Sequence, residues 1–274
     1  MVKRPTREKL LRAWSVLRKP TAVRVIVLGH QKSGTSAIGA LMARLTKHSY
    51  ANDPLYWCDH GRGEYANRVV NDPGTLRQVI NSKRAYFFRY IVKDPDLTFV
   101  MEDLPYAFPN ARLIFVVRDP RQVIRSIADR LNLSADTLSK PFQATPDINR
   151  HWSLILSGQL PIITNRNLAV SEVLARRWIK SVEMYLRNEG RVLMIRYEDF
   201  CAHKLDSLRQ LIRQMNIRER GDISEWVNAE HQPKDNSQAD LEIRLGLDSL
   251  VRIEKLCSNH MSKFQYSPTP NSGS

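Results

Sequence analysis

The stretch that decides the fold is Val23-Arg-Val-Ile-Val-Leu-Gly-His-Gln-Lys-Ser-Gly-Thr-Ser36, which runs from an apolar segment into a glycine-bearing turn. Residues 23–28 are rich in β-branched side chains and predict a buried strand. Helical spacing of apolar residues follows at Ile38, Leu41, Met42 and Leu45. The stretch therefore predicts a strand, a loop at 29–36 and a helix, an arrangement that directs backbone N–H groups and a positive helix end at one anion.

Strand-like and helix-like segments alternate along the chain that follows. The predicted segments are strands at 86–92, 113–117 and 191–195 and helices at about 97–108, 120–131 and 170–188. This alternation is typical of a parallel sheet. We therefore predict an α/β fold with a P-loop-kinase-like parallel sheet flanked by helices on both faces. Its ligand crevice is expected at the carboxyl ends of the strands.

One large domain accounts for most of the 274 residues, of which 42% are apolar. We assign residues 23–266 to a single α/β domain, preceded by a basic N-terminal helix or arm at 1–22. The tail at 267–274 consists mainly of Pro, Ser, Gly and Asn and is expected to be disordered. Residues 132–166 contain three prolines and little periodicity. That pattern is more typical of a segment that covers a bound substrate than of part of the core.

The chain is strongly basic, with 42 Lys and Arg against 28 Asp and Glu and a net charge of +14. Such a charge predicts attraction to phosphorylated ligands, an anionic membrane surface or a polyanion. Nucleic acid is not expected, because the basic residues are spread along the chain without zinc-finger spacing or an aromatic RNA-binding motif.

The three cysteines lack disulfide-like or metal-ligand spacing, and the histidines lack i, i+4 pairs. We expect no metal site and a reducing, cytoplasmic location. The sequence has no apolar run long enough to span a bilayer. Apolar residues at 10, 11, 14 and 17 alternate with basic ones at helical spacing. They fit a short helix packed on the domain, which we favour, or a peripheral contact with an anionic membrane.

The loop at 29–36 differs from a nucleoside-triphosphate loop in the position of its lysine. In the latter, Lys and Ser or Thr directly follow the second glycine, whereas here Thr35 and Ser36 follow Gly34 and Lys32 precedes it. The alternative to an anion-binding loop is an ordinary strand-to-helix turn, in which Gly34 provides the backbone freedom.

A second cluster of anion-binding side chains follows the predicted strand at 113–117. Arg118 comes directly after the strand, Ser126 lies on the next helix, and Arg130 is four residues further on the same helical face. Asp119 and Pro120 are good helix-start residues. Two arginines and a hydroxyl suit a phosphate monoester. For Arg121 and Arg125 we expect a solvated basic face instead.

Both motifs resemble those of sulfotransferases that use 3′-phosphoadenosine 5′-phosphosulfate (PAPS). Lys-Ser-Gly-Thr-Ser36 is similar to the family's 5′-phosphosulfate loop, and residues 117–126 are similar to its 3′-phosphate segment. The resemblance covers about residues 23–200 and is closest to protein-tyrosine sulfotransferases and their bacterial relatives. It implies that Lys32 neutralises charge at the sulfuryl group and that Ser33, Gly34, Thr35 and Ser36 bind the 5′-phosphate. Arg118, Ser126 and Arg130 would bind the 3′-phosphate.

The resemblance also implies roles for residues outside the two motifs. Lys93, in Lys-Asp-Pro95, would assist at the sulfate, and Tyr197 would lie near the adenine or its ribose phosphate. Counting from the loop serine as in the tyrosine-sulfating relatives places the catalytic base near Asp53, with His60 and Glu64 as alternatives, and an ordinary turn at Asp53-Pro54 is the other interpretation. The acceptor would be a hydroxyl on a carbohydrate, glycolipid or small molecule, and Tyr56, Trp57 and Trp152 offer rings for stacking or for core packing.

Two other functions remain open at this point. A P-loop kinase acting on a small molecule shares the sheet and the loop, and predicts Mg²⁺-dependent ATP binding. A non-enzymatic basic adaptor that binds anionic lipid or nucleic acid predicts binding with steep salt dependence. The joint presence of Lys32, Lys93 and the Arg118 cluster favours the sulfotransferase.

Overall fold

Five parallel strands form one sheet within residues 22–163, 167–227 and 238–267, the parts of the chain that the computed structural model describes. The strands are β1 (Val25–Gly29), β2 (Tyr50–Asn52), β3 (Ile91–Lys93), β4 (Arg112–Val117) and β5 (Val192–Arg196). They lie in the order β2-β3-β1-β4-β5, and every neighbouring pair is parallel. The predicted parallel α/β fold is confirmed.

Helices connect the strands and continue beyond them. They are α1 (Thr35–Thr46), α2 (Pro54–Trp57), α3 (Glu64–Asn71), α4 (Leu76–Ser82), α5 (Arg84–Phe87), α6 (Leu104–Ala107), α7 (Pro120–Leu131), α8 (Ala135–Ser139), α9 (Arg150–Leu156), α10 (Val170–Leu186), α11 (Tyr197–Ala202), α12 (Lys204–Gln214), α13 (Ser224–Val227), α14 (Gln238–Leu245) and α15 (Leu247–Lys263), with 3₁₀ turns at Pro73–Thr75, Asp96–Asp103 and Glu189–Arg191. Within the described ranges, every helix is too short or too polar to cross a membrane.

Both faces of the sheet are buried, as the apolar strand sequences require. In β1, Ile26 and Leu28 pack into one apolar cluster, while Val25 and Val27 pack into another on the opposite face. Helices α7, α10 and α15 cover the first face, and α1 and α12 cover the second. The sheet is therefore a rigid support whose strand ends hold fixed positions.

The register of the sheet aligns the carboxyl ends of the strands. Gly29 lies opposite Val116, Asn52 opposite Lys93, and Val117 opposite Arg196. Whatever follows each strand therefore emerges at one edge, as expected for a ligand crevice in an open parallel sheet.

Several sequence-based assignments of secondary structure are corrected. The strand predicted at 86–92 is only Ile91–Lys93, because Arg84–Phe87 forms a helical turn that buries Phe87. The helix predicted at 97–108 is a 3₁₀ segment with a kink at Val100, followed by the short α6. In both places the aromatic and β-branched side chains correctly predicted a buried segment. They did not predict its backbone conformation, which depends on the neighbouring turns.

Residues 132–166 are less irregular than their sequence suggests. They contain α8 and α9, and the core includes Leu138, Leu154, Ile155 and Leu160. Residues 164–166 lie outside the described residues, as do nearly all of the predicted N-terminal arm and tail, at 1–21 and 268–274.

The predicted helix start at Asp119 is confirmed, because its carboxylate accepts a hydrogen bond from the Arg121 N–H at 2.8 Å. The expectation of a solvated Arg121 is wrong. Its guanidinium is half-buried and forms ion pairs with Asp119 at 2.6 Å and Glu254 at 2.7 Å. These partners raise the pKa of Arg121 and join α7 to α15.

Candidate active site

A cleft of about 810 Å³ opens at the carboxyl edge of the sheet and is lined from all five strand ends. At one end, which we call the loop end, the lining residues are Lys32, Gly34, Thr35, Ser36, Arg118, Arg130 and Tyr197. At the other, which we call the aromatic end, they are Tyr56, Trp57, Asp147, Asn149, His151 and Trp152, while Asn52, Asp53 and Lys93 lie between the two ends. The cleft thus collects most of the predicted site residues.

The loop turns tightly to present its backbone to the cleft. Lys32 and Gly34 have positive φ angles of 68° and 88°, and a Cβ at Gly34 would lie 2.1 Å from the Tyr197 ring. Both the turn and this close approach require glycine at position 34. The first turn of α1 has neither an acidic residue nor a side-chain cap within the described chain. Its positive end is therefore available to an anion.

Lys32 carries a charge that its surroundings do not favour. Burial lowers the pKa of Lys32, and the nearby cations Arg130, Arg118 and Lys93 lower that pKa further. An anion bound among these groups would relieve their repulsion. The residues present therefore fit a ligand that carries several negative charges.

Arg118 and Tyr197 form one assembled unit. The Arg118 guanidinium donates to the carbonyl oxygen of Lys32 at 3.0 Å and lies 4.6 Å from the centre of the Tyr197 ring. The fully buried Trp178 donates its Nε1–H to the carbonyl oxygen of Arg118 at 2.9 Å. Burial lowers the pKa of Arg118 and raises the pKa of Tyr197 to about 12. Trp178 is therefore a core residue that positions the strand end beside the loop.

Two predicted cofactor ligands lie behind the cleft lining. Ser33 is buried, and its backbone N–H donates to the His30 carbonyl oxygen at 3.1 Å. Ser126 is also buried, on α7, whereas the side chain of Arg130 is exposed at the loop end.

Lys93 and Asp53 meet across the ends of β3 and β2. The Lys93 Nζ atom lies 2.8 Å from Asp53 Oδ1, and the other carboxylate oxygen accepts a hydrogen bond from the Asn52 amide at 2.9 Å. The register explains the pair, because Asn52 and Lys93 lie opposite each other in the sheet. The alternative bases His60 and Glu64 are exposed and lie outside the lining as described.

A buried polar network under the cleft was not predicted from the sequence. Arg177 Nη2 lies 2.8 Å from Asp96 Oδ1, which also accepts a hydrogen bond from the loop side chain Gln31 at 2.8 Å. Arg177 also donates to the Gln31 amide oxygen, and His151 Nε2 lies 3.2 Å from Asp96 Oδ2. Despite its carboxylate partner, burial lowers the pKa of Arg177 to about 10.

Asp96 is the centre of this network because it contacts three parts of the fold. Gln31 belongs to the loop, His151 to α9 and Arg177 to α10, and the contacts of Asp96 with them span 55 to 81 positions in the chain. Asp94 extends the network, because its carboxylate accepts hydrogen bonds from the N–H groups of Leu55 and Asp96. Burial and its acidic neighbours raise the pKa of Asp94.

Aromatic rings and amides build the other end of the cleft. The Tyr56 ring makes edge contacts with Trp57 and His151, at centroid distances of 4.9 and 5.2 Å. Asn149 donates to the Tyr56 hydroxyl at 3.1 Å while its carbonyl caps α9 by accepting from the Trp152 N–H. These contacts join α2 to α9 before any ligand is present.

The described residues contain no group of three or more His, Cys, Asp or Glu side chains that could hold a metal ion. Positive charge in the cleft comes from lysine and arginine.

Comparison with protein families identifies the chain. The model of a sulfotransferase family matches residues 44–220. The chain belongs to the sulfotransferase family. It is therefore a PAPS-dependent sulfotransferase, as the two motifs implied, and an enzyme of the transferase class. Because the match begins after the phosphate loop, it supports the family without assigning the loop residues.

Solved structures give the same fold at low identity. The sulfotransferase STF9 from Mycobacterium avium superposes with a TM-score of 0.56 and 14% identity, covering 95% of this chain and 81% of its own. STF1 from Mycobacterium tuberculosis H37Rv gives a TM-score of 0.51 and 12% identity, covering 92% and 80%. Comparison with curated protein sequences returns no match.

Proposed function

We propose that this sulfotransferase transfers the sulfuryl group of PAPS in-line to a hydroxyl of a carbohydrate, glycolipid or other small acceptor. One observation carries the proposal. Lys32 and Lys93 come from different strand ends and line the same cleft, and Lys93 forms an ion pair with Asp53. Two cations and a carboxylate at one point are what the transfer of an anionic group from one oxygen to another requires.

The loop end would hold the donor through both of its phosphates. The backbone N–H groups and hydroxyls of Thr35 and Ser36 at the start of α1 suit the 5′-phosphosulfate. The guanidinium groups of Arg118 and Arg130 suit the 3′-phosphate, with Tyr197 holding Arg118 in place. Ser33 and Ser126 are buried behind the lining, so their contacts with the donor would require their side chains to become accessible from the cleft.

The chemical step forms one bond and breaks another. The acceptor oxygen attacks sulfur as the bond between sulfur and the 5′-phosphate oxygen breaks, and the products are a sulfate ester and adenosine 3′,5′-bisphosphate (PAP). Lys32 and Lys93 would stabilise the charge on the sulfuryl and leaving oxygens. The proposal requires no metal ion.

Asp53 is the proposed base for the acceptor proton. Its carboxylate lies at the junction of the two ends of the cleft, within 2.8 Å of Lys93. When Lys93 turns to the sulfuryl group, Asp53 Oδ1 loses its partner and becomes able to accept the proton. His60 and Glu64 have no comparable place in the described cleft.

Labelled PAPS tests the chemistry directly. The protein should transfer label from PAPS to an acceptor supplied as a glycan and glycolipid extract, and Lys32→Ala should abolish transfer. Lys255→Ala, an exposed position on α15, is the matched control and should keep full activity. Normal turnover by the Lys32 variant would contradict the proposal.

Thermal stability separates this function from a kinase. A ligand that binds the folded state raises its melting temperature. PAP should therefore stabilise the protein far more than ATP with Mg²⁺, because PAP carries the 3′-phosphate that Arg118 and Arg130 would bind. Equal shifts would favour a kinase.

A further inference from the structure

Charge is divided unequally between the two ends of the cleft. Apart from His151, whose Nε2 atom lies 3.2 Å from Asp96 Oδ2, the basic side chains among the described lining residues are Lys32, Lys93, Arg118 and Arg130. Three of these lie at the loop end, and Lys93 has Asp53 as its partner. The lining of the aromatic end, as described, contributes the exposed carboxylate of Asp147 and no guanidinium. The donor half of the cleft is therefore cationic, and the acceptor half is neutral to acidic.

This division selects among acceptors by their charge. A carboxylate or sulfate that enters the aromatic end loses water without gaining a cationic partner, and it approaches the carboxylates of Asp53 and Asp147. Desolvating an anion without a partner is costly, and like-charge contacts reject a ligand more effectively than neutral contacts do. An uncharged acceptor avoids both penalties.

The side chains at this end indicate what kind of uncharged group fits. Tyr56, Trp57 and Trp152 are half-buried and expose part of each ring to the cleft. Asn149 adds an amide group that donates to the Tyr56 hydroxyl, and Asn52 adds another amide where the two ends meet. Rings that cover an apolar C–H face, together with amides and carboxylates that bind hydroxyls, suit a sugar ring, which presents both surfaces.

The pocket is held in shape before an acceptor arrives. Asn149 fixes the start of α9 to Tyr56, and His151 is held between the Tyr56 ring and Asp96. A preformed site binds without paying for loop ordering. Its charge pattern therefore acts on every acceptor that enters.

We propose that the acceptor is an uncharged sugar residue that stacks in the aromatic end, and that acidic sugars are excluded. The proposal rests on the sulfotransferase function proposed above and adds the class of acceptor to it.

Matched pairs of methyl glycosides provide the test. Each pair joins a neutral sugar, such as methyl β-glucoside or methyl β-galactoside, with its uronic acid, which differs by one carboxylate. Binding to the protein–PAP complex is measured by calorimetry, and transfer is measured with labelled PAPS. The neutral member of at least one pair should bind and react about tenfold better than its uronate, as expected for one unfavourable charge contact.

Reversing the charge of Asp147, in the lining of the aromatic end, makes the test more specific. Because Asp147 is exposed, Asp147→Lys should leave the fold intact and should raise the uronate-to-neutral ratio by about tenfold. Asp136→Lys is the matched control, since this residue is 71% exposed on α8 and lies outside the described lining. It should leave the ratio unchanged.

Each outcome has one meaning. Equal or better use of uronates, reaction with simple phenols alone, or no binding by any glycoside while PAP binds would overturn the acceptor class and leave the donor proposal intact. Failure of PAP to bind would instead overturn the proposed function. Preference for neutral glycosides together with the Asp147 effect would support the acceptor class.

Discussion

The loop end and the aromatic end of the cleft are built in different ways. The loop end comes from residues 32–36, residues 118–130 and Tyr197, each at a point where a strand end runs into a helix. The aromatic end joins α2 to α9, and its linking hydrogen bond connects Tyr56 and Asn149 across 93 positions. Anion binding here is thus a local property of strand–loop–helix units, whereas the acceptor pocket depends on tertiary packing.

Asp96 connects these two ends. It lies beneath the cleft and contacts Gln31 on the loop side and His151 on the acceptor side, with Arg177 as its buried counterion. A change at this position should therefore affect both ends, unlike changes at residues confined to one end.

Asp53→Asn should give the largest effect, because Asp53 lies where the two ends meet. Losing the proposed base should lower kcat by roughly 10³-fold, within the range of general-base catalysis. PAP affinity should change little, since Asp53 lies outside the loop end. Rapid-quench assays with labelled PAPS measure the step. His60→Gln and Glu64→Gln serve as controls with near-normal rates, and a large loss in either would move the base away from Asp53.

Arg177→Met should give the next largest effect, on stability. It leaves the Asp96 carboxylate buried beside a neutral side chain and should lower the free energy of unfolding by roughly 3 kcal/mol. Urea unfolding measures this loss, with the 60% exposed Arg187→Met as the control. Adding Asp96→Asn should restore part of the loss, because the two positions are coupled. If the losses in unfolding free energy from the two substitutions simply add, Asp96 is not the partner whose interaction with Arg177 stabilises the fold.

The sequence could predict that these side chains gather at one edge of the sheet, for a physical reason. Parallel strands place whatever follows them at one edge, so Lys32, Lys93, Arg118 and Tyr197 meet once the strands are recognised. Asp53 was found by counting from the loop, although the three-residue strand β2 that positions it was not predicted, since Tyr50–Asn52 is too short to show periodicity.

The aromatic end and the network beneath it could not be derived in the same way. His151 lies in the stretch 132–166, which shows little periodicity, Arg177 lies on a predicted helix, and neither is close in sequence to Asp96. Their contacts arise from how α9 and α10 pack on the sheet. A single sequence indicates that a charged residue is present, and only the fold shows whether its partner is buried beside it.

Arg118→Ala should affect ligand binding at the loop end and leave binding at the aromatic end unchanged. Losing a charged hydrogen-bonding partner should weaken PAP binding by roughly 30-fold, or about 2 kcal/mol. Adenosine 5′-monophosphate, which lacks the 3′-phosphate, should lose much less affinity, and the KM of the acceptor should stay unchanged. Calorimetry with both nucleotides measures the difference. Arg112→Ala, exposed at the other end of β4, is the control. Equal losses for both nucleotides would place Arg118 away from the 3′-phosphate.

The remaining prediction concerns the two buried histidines of the cleft region, whose surroundings differ. His151 lies beside Asp96, whereas burial and the nearby Arg177 lower the pKa of His30 to about 3. Between pH 6.5 and 3 the unfolded chain therefore binds a proton at His30 that the folded state does not. This linkage costs the folded state about 1.4 kcal/mol per pH unit as the pH falls below that of ordinary histidine. His30→Gln should flatten the loss of unfolding free energy between pH 6.5 and 4.5 by about that slope, and the exposed His203→Gln should not. An unchanged slope in His30→Gln would mean that the loop histidine is already charged in the native protein, which its burial and the nearby Arg177 oppose.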